Sequence, residues 1–260
     1  MARVYGADGF RRIASAHVCV VGLGGVGSWA AEVLARSGVG GLTLIDLDHV
    51  AESNLNRQVL ALESTLGAAK VDAMAQRIAQ IAPECRVDRV DAFVDAENAQ
   101  TLLPEDALVI DAVDDVRAKA AMVALARQRG QWIVVCGAAG GRTDPLRLRQ
   151  DDLARTRGDA LLASVRTRLR REYGFARGGG GPANAASSGS PRGGSRAATR
   201  QGLAPKFGVT AIFSDEPLRG VAVQQGGAGL ACAGYGSLAT VTAAMGLAAA
   251  AMALERAQAG

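Results

Sequence analysis

The sequence predicts an α/β protein with a doubly wound, mostly parallel sheet. Two observations carry this: short apolar runs alternate with stretches of helical periodicity through the first half, and the first run closes on a glycine turn that opens a helix. The run VCVV, 18–21, stops at Gly22, and Gly22, Gly24 and Gly27 stand at G-x-G-x-x-G spacing before an apolar-periodic segment, 29–34. That order reads as strand, tight turn and helix, the Rossmann-like nucleotide unit. Glycine lets the turn reach positive φ and lets a phosphate approach the backbone, while the helix N-terminus offers free N–H groups. The second strand, LTLID, ends in Asp46, where an acid meets a ribose hydroxyl. A helix over 67–82 follows, with Val71, Met74, Ala75, Ile78 and Ile81 on one stripe and Pro83 closing it. CRVDRVDAFV alternates like a half-exposed strand. A short helix over 95–103 then leads to the buried strand ALVIDAV, a helix over 116–129 and the strand WIVVCG.

The remainder is different in kind. The stretch from about 177 to 205 is rich in Gly, Ser and Ala with almost no large apolar residues, and reads as a flexible loop. The run 237–258 is long enough to span a bilayer, but alanine and glycine make it weakly hydrophobic, so it reads as a buried or interface helix and no stable membrane span is expected. At 260 residues, 49% hydrophobic and 21% charged, the chain is an ordinary globular protein with no secretory signal. Cys19, Cys85, Cys136 and Cys232 are scattered without a C-x-x-C pair, which argues for reduced thiols in a cytoplasm over a disulfide framework or structural zinc.

The glycine turn alone does not separate NAD from other nucleotides. Asn54, Arg57 and Gln58 in DLDHVAESNLNRQ have no place in a dehydrogenase, where the turn already holds the pyrophosphate; an extra arginine suits a triphosphate. Lys70 follows near the start of a helix, and VIDAVDD places Asp111 and Asp114 on the carboxyl edge of the sheet, where a carboxylate beside phosphates implies Mg²⁺. Singly, Arg57 and Lys70 also read as solvated charges and Asp114 as a helix cap.

Together GLGGVG, LIDLDHVAESNLNRQ, GAAK and DAVDDVRAK resemble the E1-like superfamily of ubiquitin-activating-enzyme relatives of ThiF, MoeB and HesA type. The resemblance implies one E1-like domain over 1–260, with an ATP-binding half at 1–141 and a C-terminal extension at 142–260 that faces tRNA and the dimer. It implies ATP and Mg²⁺, with Gly24 and Gly25 under the phosphates beside Gly22 and Gly27. Asp46 would hold the ribose with Asp48 and Gln58 nearby, Asn54, Arg57 and Lys70 would polarise the triphosphate, and Asp114 would hold the metal. It also implies a homodimer in which Arg3 reaches the partner's site. Relatives that activate sulfur carriers hold zinc on two C-x-x-C pairs, which this chain lacks. IAPECRVDRVDAFV, GGRTDPLRLRQDDLARTRGDALLASVRTRLRREYGF and KFGVTAIFSDEPLR extend the resemblance, along nearly the whole length, to the family that dehydrates threonylcarbamoyladenosine in tRNA through an acyl-adenylate.

Charge placement gives an independent footprint. Residues 1–141 hold 13 Lys and Arg against 17 Asp and Glu, net −4, whereas 142–206 hold 14 against 5, net +9. A polyanionic tRNA is attracted to such a concentration, and Arg166, Arg168, Arg170 and Arg171 are its candidate contacts, more so than Arg192, Arg196 and Arg200 of the loop. Activation of a ubiquitin-like sulfur carrier and a NAD-binding redox module are the alternatives, and a monovalent cation and a sulfur-relay protein stay open as further partners. Cys232 reads as packing before it reads as a nucleophile.

Overall fold

The computed structural model describes residues 1–177, 205–218 and 236–260. Cys232, Arg192, Arg196, Arg200 and nearly all of the expected 177–205 loop lie outside them. The described residues form one seven-stranded sheet in the order β3-β2-β1-β4-β5-β7-β6. Its strands are β1 (His17–Val21), β2 (Gly41–Ile45), β3 (Arg86–Val90), β4 (Leu108–Asp111), β5 (Ile133–Cys136), β6 (Leu148–Asp152) and β7 (Thr210–Ser214). Only β6 runs antiparallel, against β7. β1 lies between β2 and β4 in parallel register with both, so the winding direction reverses there and opens a crevice at the carboxyl ends of these strands.

Burial alternates along β1 as a two-sided sheet requires. Val18 and Val20 join a core with α2 (Gly27–Arg36), α3 (Lys70–Ile81) and α7 (Ala239–Ala259), while Cys19 and Val21 face a second core built with α5 (Val116–Arg129) and α6 (Ala160–Glu172). Helix α1 (Ala2–Ser15), bent at Gly6 with φ of 71°, packs beside α7, and the one-turn α4 (Ala99–Leu102) leads into β4. Among the described residues no helix is long and apolar enough to cross a membrane. α7 is instead buried along a small-residue stripe, where a side chain at Gly246 would meet the Val26 carbonyl at 2.3 Å.

Three element boundaries depart from the sequence reading, each for a local reason. The helix expected from residue 67 starts at Lys70, because Gly67 takes φ of 81° and Ala69 bridges His49, with Lys70 N–H donating to the Asp48 carbonyl. The helix expected over 95–103 begins only at Ala99: Asp95 accepts from the N–H groups of Glu97 and Asn98, while Asn98 Oδ1 accepts from Asp95 N–H, a closed turn that delays the helix. The strand read across 85–94 ends at Val90, and it is an exposed edge strand. The basic second half was expected to face RNA and a partner subunit. What the structure shows of it is that it completes the sheet, through β7 on β5 and β6 on β7.

Candidate functional site

The glycine turn is built by close approach. Gly22 has φ of 86° and donates to the Ile45 carbonyl at 2.8 Å; a Cβ there would stand 3.0 Å from the Ala112 backbone. At Gly27 a Cβ would lie 1.8 Å from the Gly22 carbonyl oxygen, so the turn closes only with glycine. Gly24 is different, with nothing within 4 Å of its Cβ position, which leaves an open floor for a phosphate. Over Gly25 lie Thr242 of α7 and the Arg57 stem, 3.1 and 3.2 Å from its Cβ position.

Arg57, far from the first glycines in sequence, is thus brought onto the turn. Its backbone carbonyl accepts from Trp29 Nε1 at 2.9 Å, and its Nη1 donates to the Ser53 carbonyl at 2.6 Å and Asn56 Oδ1 at 3.0 Å. Those acceptors neutralise none of its charge. Asn54 is buried and its Oδ1 caps the short turn by accepting from Ala51 N–H at 3.0 Å; its amide NH₂ remains as a donor. Gln58 is buried too, and its Oε1 has no hydrogen-bond partner, an orphaned acceptor beside the turn.

At the end of β2 the acids and Lys70 form a chain. Asp46 accepts from Leu23 N–H at 2.5 Å and from Asp48 N–H at 2.8 Å, and burial pushes its carboxyl above the usual range against the nearby Lys70 charge. Lys70 Nζ donates to Asp48 Oδ2 at 2.7 Å; the lysine is buried while Asp48 is half exposed. Lys70 is therefore not a solvated surface charge.

The cap reading of Asp114 is corrected. Asp115 caps α5, accepting from Arg117 and Ala118 N–H, and Asp114 stays exposed at the carboxyl edge of β4. Among the described residues no group of three or more His, Cys, Asp or Glu forms a metal cage. One free carboxylate is what Mg²⁺ needs when phosphate oxygens supply further ligands, so Asp114 fits that role. Asp111 is a different kind of residue. It is fully buried, ion-paired to fully buried Lys119 at 2.9 Å, with Oδ2 unpartnered. Nothing in the pattern DAVDDVRAK marks Lys119 as interior, since it reads as one more helix-surface lysine.

Arg3 stands in the first turn of α1, exposed, without a hydrogen bond or ion pair among the described residues. The glycine turn meets Arg57 at Gly25 and the series Asp46, Asp48 and Lys70 at Leu23; Arg3 makes no such contact. Cys19 and Cys136 are buried and reduced, their thiols pushed up to about 12 by burial, and Cys85 is partly buried. The basic arginines also separate. Arg166 hydrogen-bonds Thr156, Arg170 lies over the Phe207 ring at 5.3 Å, and only Arg168 and Arg171 stay on the outer face of α6.

A glycine turn at the switch point of a doubly wound sheet, with an arginine laid across it, defines a nucleotide-binding α/β protein. More particularly, residues 1–258 match the ThiF family, and the chain belongs to it. It is 41% identical to tRNA threonylcarbamoyladenosine dehydratase of Escherichia coli, over 98% of this chain and 91% of that one. The crystal structure of the Escherichia coli dehydratase in complex with ATP superposes with a TM-score of 0.80 at 39% identity, covering 99% of this chain and 92% of the other. The molybdopterin-synthase adenylyltransferase of Escherichia coli is 39% identical, over 44% of this chain and 46% of its own length.

Proposed function

We propose that this protein is an ATP-dependent tRNA threonylcarbamoyladenosine dehydratase. The observation that carries the proposal is likeness to such dehydratases over nearly both full lengths, together with a site whose open glycine floor, uncommitted arginine charge and free carboxylate suit a triphosphate. NAD does not account for an arginine whose stem packs over Gly25 and whose guanidinium charge is left unneutralised. The match to an adenylyltransferase is confined to less than half of the chain, which supports shared adenylation chemistry and leaves the substrate to the rest.

The substrate's free carboxylate attacks the α-phosphorus of ATP, and pyrophosphate leaves with its electron pair. An internal nitrogen or oxygen then attacks the activated carbonyl, AMP departs with the former carboxylate oxygen, and the ring closes with net loss of water. The N–H groups of Gly24 to Gly27, at the start of α2, serve the phosphates, and Asp46 positions the ribose. Arg57 and Lys70 neutralise charge that builds on the phosphates, with the Asn54 amide as a neutral donor. Bound Mg²⁺, held by Asp114, would screen the phosphates and favour pyrophosphate as a leaving group. No side-chain nucleophile enters.

Incubation with ATP, Mg²⁺ and tRNA bearing threonylcarbamoyladenosine is expected to give a nucleoside lighter by one water, read by mass spectrometry of the digested tRNA. Unchanged tRNA, from protein shown to bind ATP, would move the proposal to a sulfur-carrier substrate.

The exposed, uncommitted Arg3 supports a homodimer in which it completes the partner's site. Mixed dimers of Arg3→Ala and Asp114→Ala subunits are then expected to recover part of the activity that each parent lacks. Heterodimers that form yet stay inactive would refute sharing.

A further inference from the structure

Between α5 and α6 lies a groove of about 340 Å³, lined by Val116, Ala163, Ser164, Thr167, Arg168 and Arg171. The α6 residues recur at intervals of three and four, so they form one face of the helix. Arg166 and Arg170 are turned to other partners: Arg166 to Thr156, with burial lowering its pKa, and Arg170 to the Phe207 ring and the Ala176 carbonyl. The basic helix therefore has a tethered side and an available side.

On the available side a single carboxylate faces several guanidinium groups. Glu172 is the one acid of α6; it receives Arg171 at 2.5 Å and Arg168 at 2.8 Å. The hydrogen bond from Arg171, with the charges of Arg168 and of Arg117 on α5, holds its carboxyl below the usual range. Glu172 alone answers Arg168, Arg171 and Arg117 and cannot neutralise all three, while Asp115, next to Val116, spends its carboxylate on the N-terminus of α5. Ser164 and Thr167 direct their hydroxyl hydrogens back to the Ala160 and Ala163 carbonyls, and no aromatic ring lines the groove. Its donors are guanidinium forks without a stacking platform, which suits phosphodiester oxygens and not bases. Val116 stands two residues beyond Asp114, so the groove opens from the same end of β4 as the nucleotide site.

We propose that this groove seats the phosphodiester backbone of the tRNA stem next to the modified nucleotide, with Arg117, Arg168 and Arg171 as phosphate contacts and Glu172 as the resident anion that RNA displaces. The proposal rests on the tRNA reading above and adds which arginines serve it. Arg166 and Arg170 are excluded from the set.

Binding of unmodified tRNA to the full chain, titrated across salt concentrations, separates the two readings because it needs no turnover. The Arg168→Gln/Arg171→Gln double variant is expected to bind about tenfold more weakly and to lower the slope of log K against log salt by about 1.5, two phosphate contacts' worth. Glu172→Gln is expected to tighten binding several-fold, and Arg166→Gln or Arg170→Gln to leave the slope unchanged. ATP affinity should stay at the wild-type value in all four. An unchanged slope in the double variant, or weaker binding in Glu172→Gln, overturns the groove assignment while wild-type binding keeps the tRNA reading. Wild-type protein that binds no tRNA at low salt overturns both.

Discussion

Gly27→Ala is expected to abolish ATP binding. The added methyl would have to occupy a point 1.8 Å from the Gly22 carbonyl oxygen, with the Ala112 side chain at 3.2 Å behind it, so the turn must open. Neither neighbour can yield cheaply: Gly22 is fixed by its hydrogen bond to Ile45 and its own φ of 86°, and Ala112 by its bond to Val21. Overpacking of this kind costs about 1–3 kcal/mol when side chains can adjust, and more when backbone must move. Calorimetric titration should detect no ATP binding, and thermal melting should show a lowered midpoint. Gly24→Ala is the control, because its Cβ position is open and the fold should not change. ATP affinity in Gly27→Ala equal to wild type would show that the turn is not the phosphate site.

Arg57→Met is expected to lower turnover by about a hundredfold to a thousandfold, the range for removing a preorganised donor to transition-state charge. Methionine preserves the stem that packs on Gly25, so the variant tests charge apart from packing. The guanidinium's hydrogen bonds go to an uncharged carbonyl and an amide, and losing them costs the fold little. Melting should therefore stay near wild type while kcat collapses. Full activity in Arg57→Met would remove the residue from the mechanism.

Glycine spacing, helical stripes and the Asp at the end of β2 were legible because each reports on its own neighbourhood: a turn that needs positive φ, a face that needs burial, a strand end. The meeting of Arg57 with Gly25 was legible only through resemblance, since no periodicity links residues so far apart. The Lys119–Asp111 pair could not be read at all. A lysine one turn into α5 becomes interior only once α5 packs on the sheet, and its partner is chosen by that packing. Asp114 and Asp115 show the same limit, as adjacent identical residues whose roles differ by one step of backbone. The arginines of α6 look like one basic block in sequence and become two sets once Phe207 and Thr156 claim half of them.

Thr242 roofs Gly25, and Gly246 lets α7 touch α2 at Val26. The nucleotide turn is therefore written early in the gene and finished late. A ribosome adding about 5–20 residues per second needs roughly ten to forty seconds to travel from Gly25 to Thr242. Through that interval the turn has emerged without its roof. A nascent chain cut short before α7 carries every phosphate-facing glycine and still lacks the completed site, so premature termination yields an inert fragment and not a half-active ATP consumer.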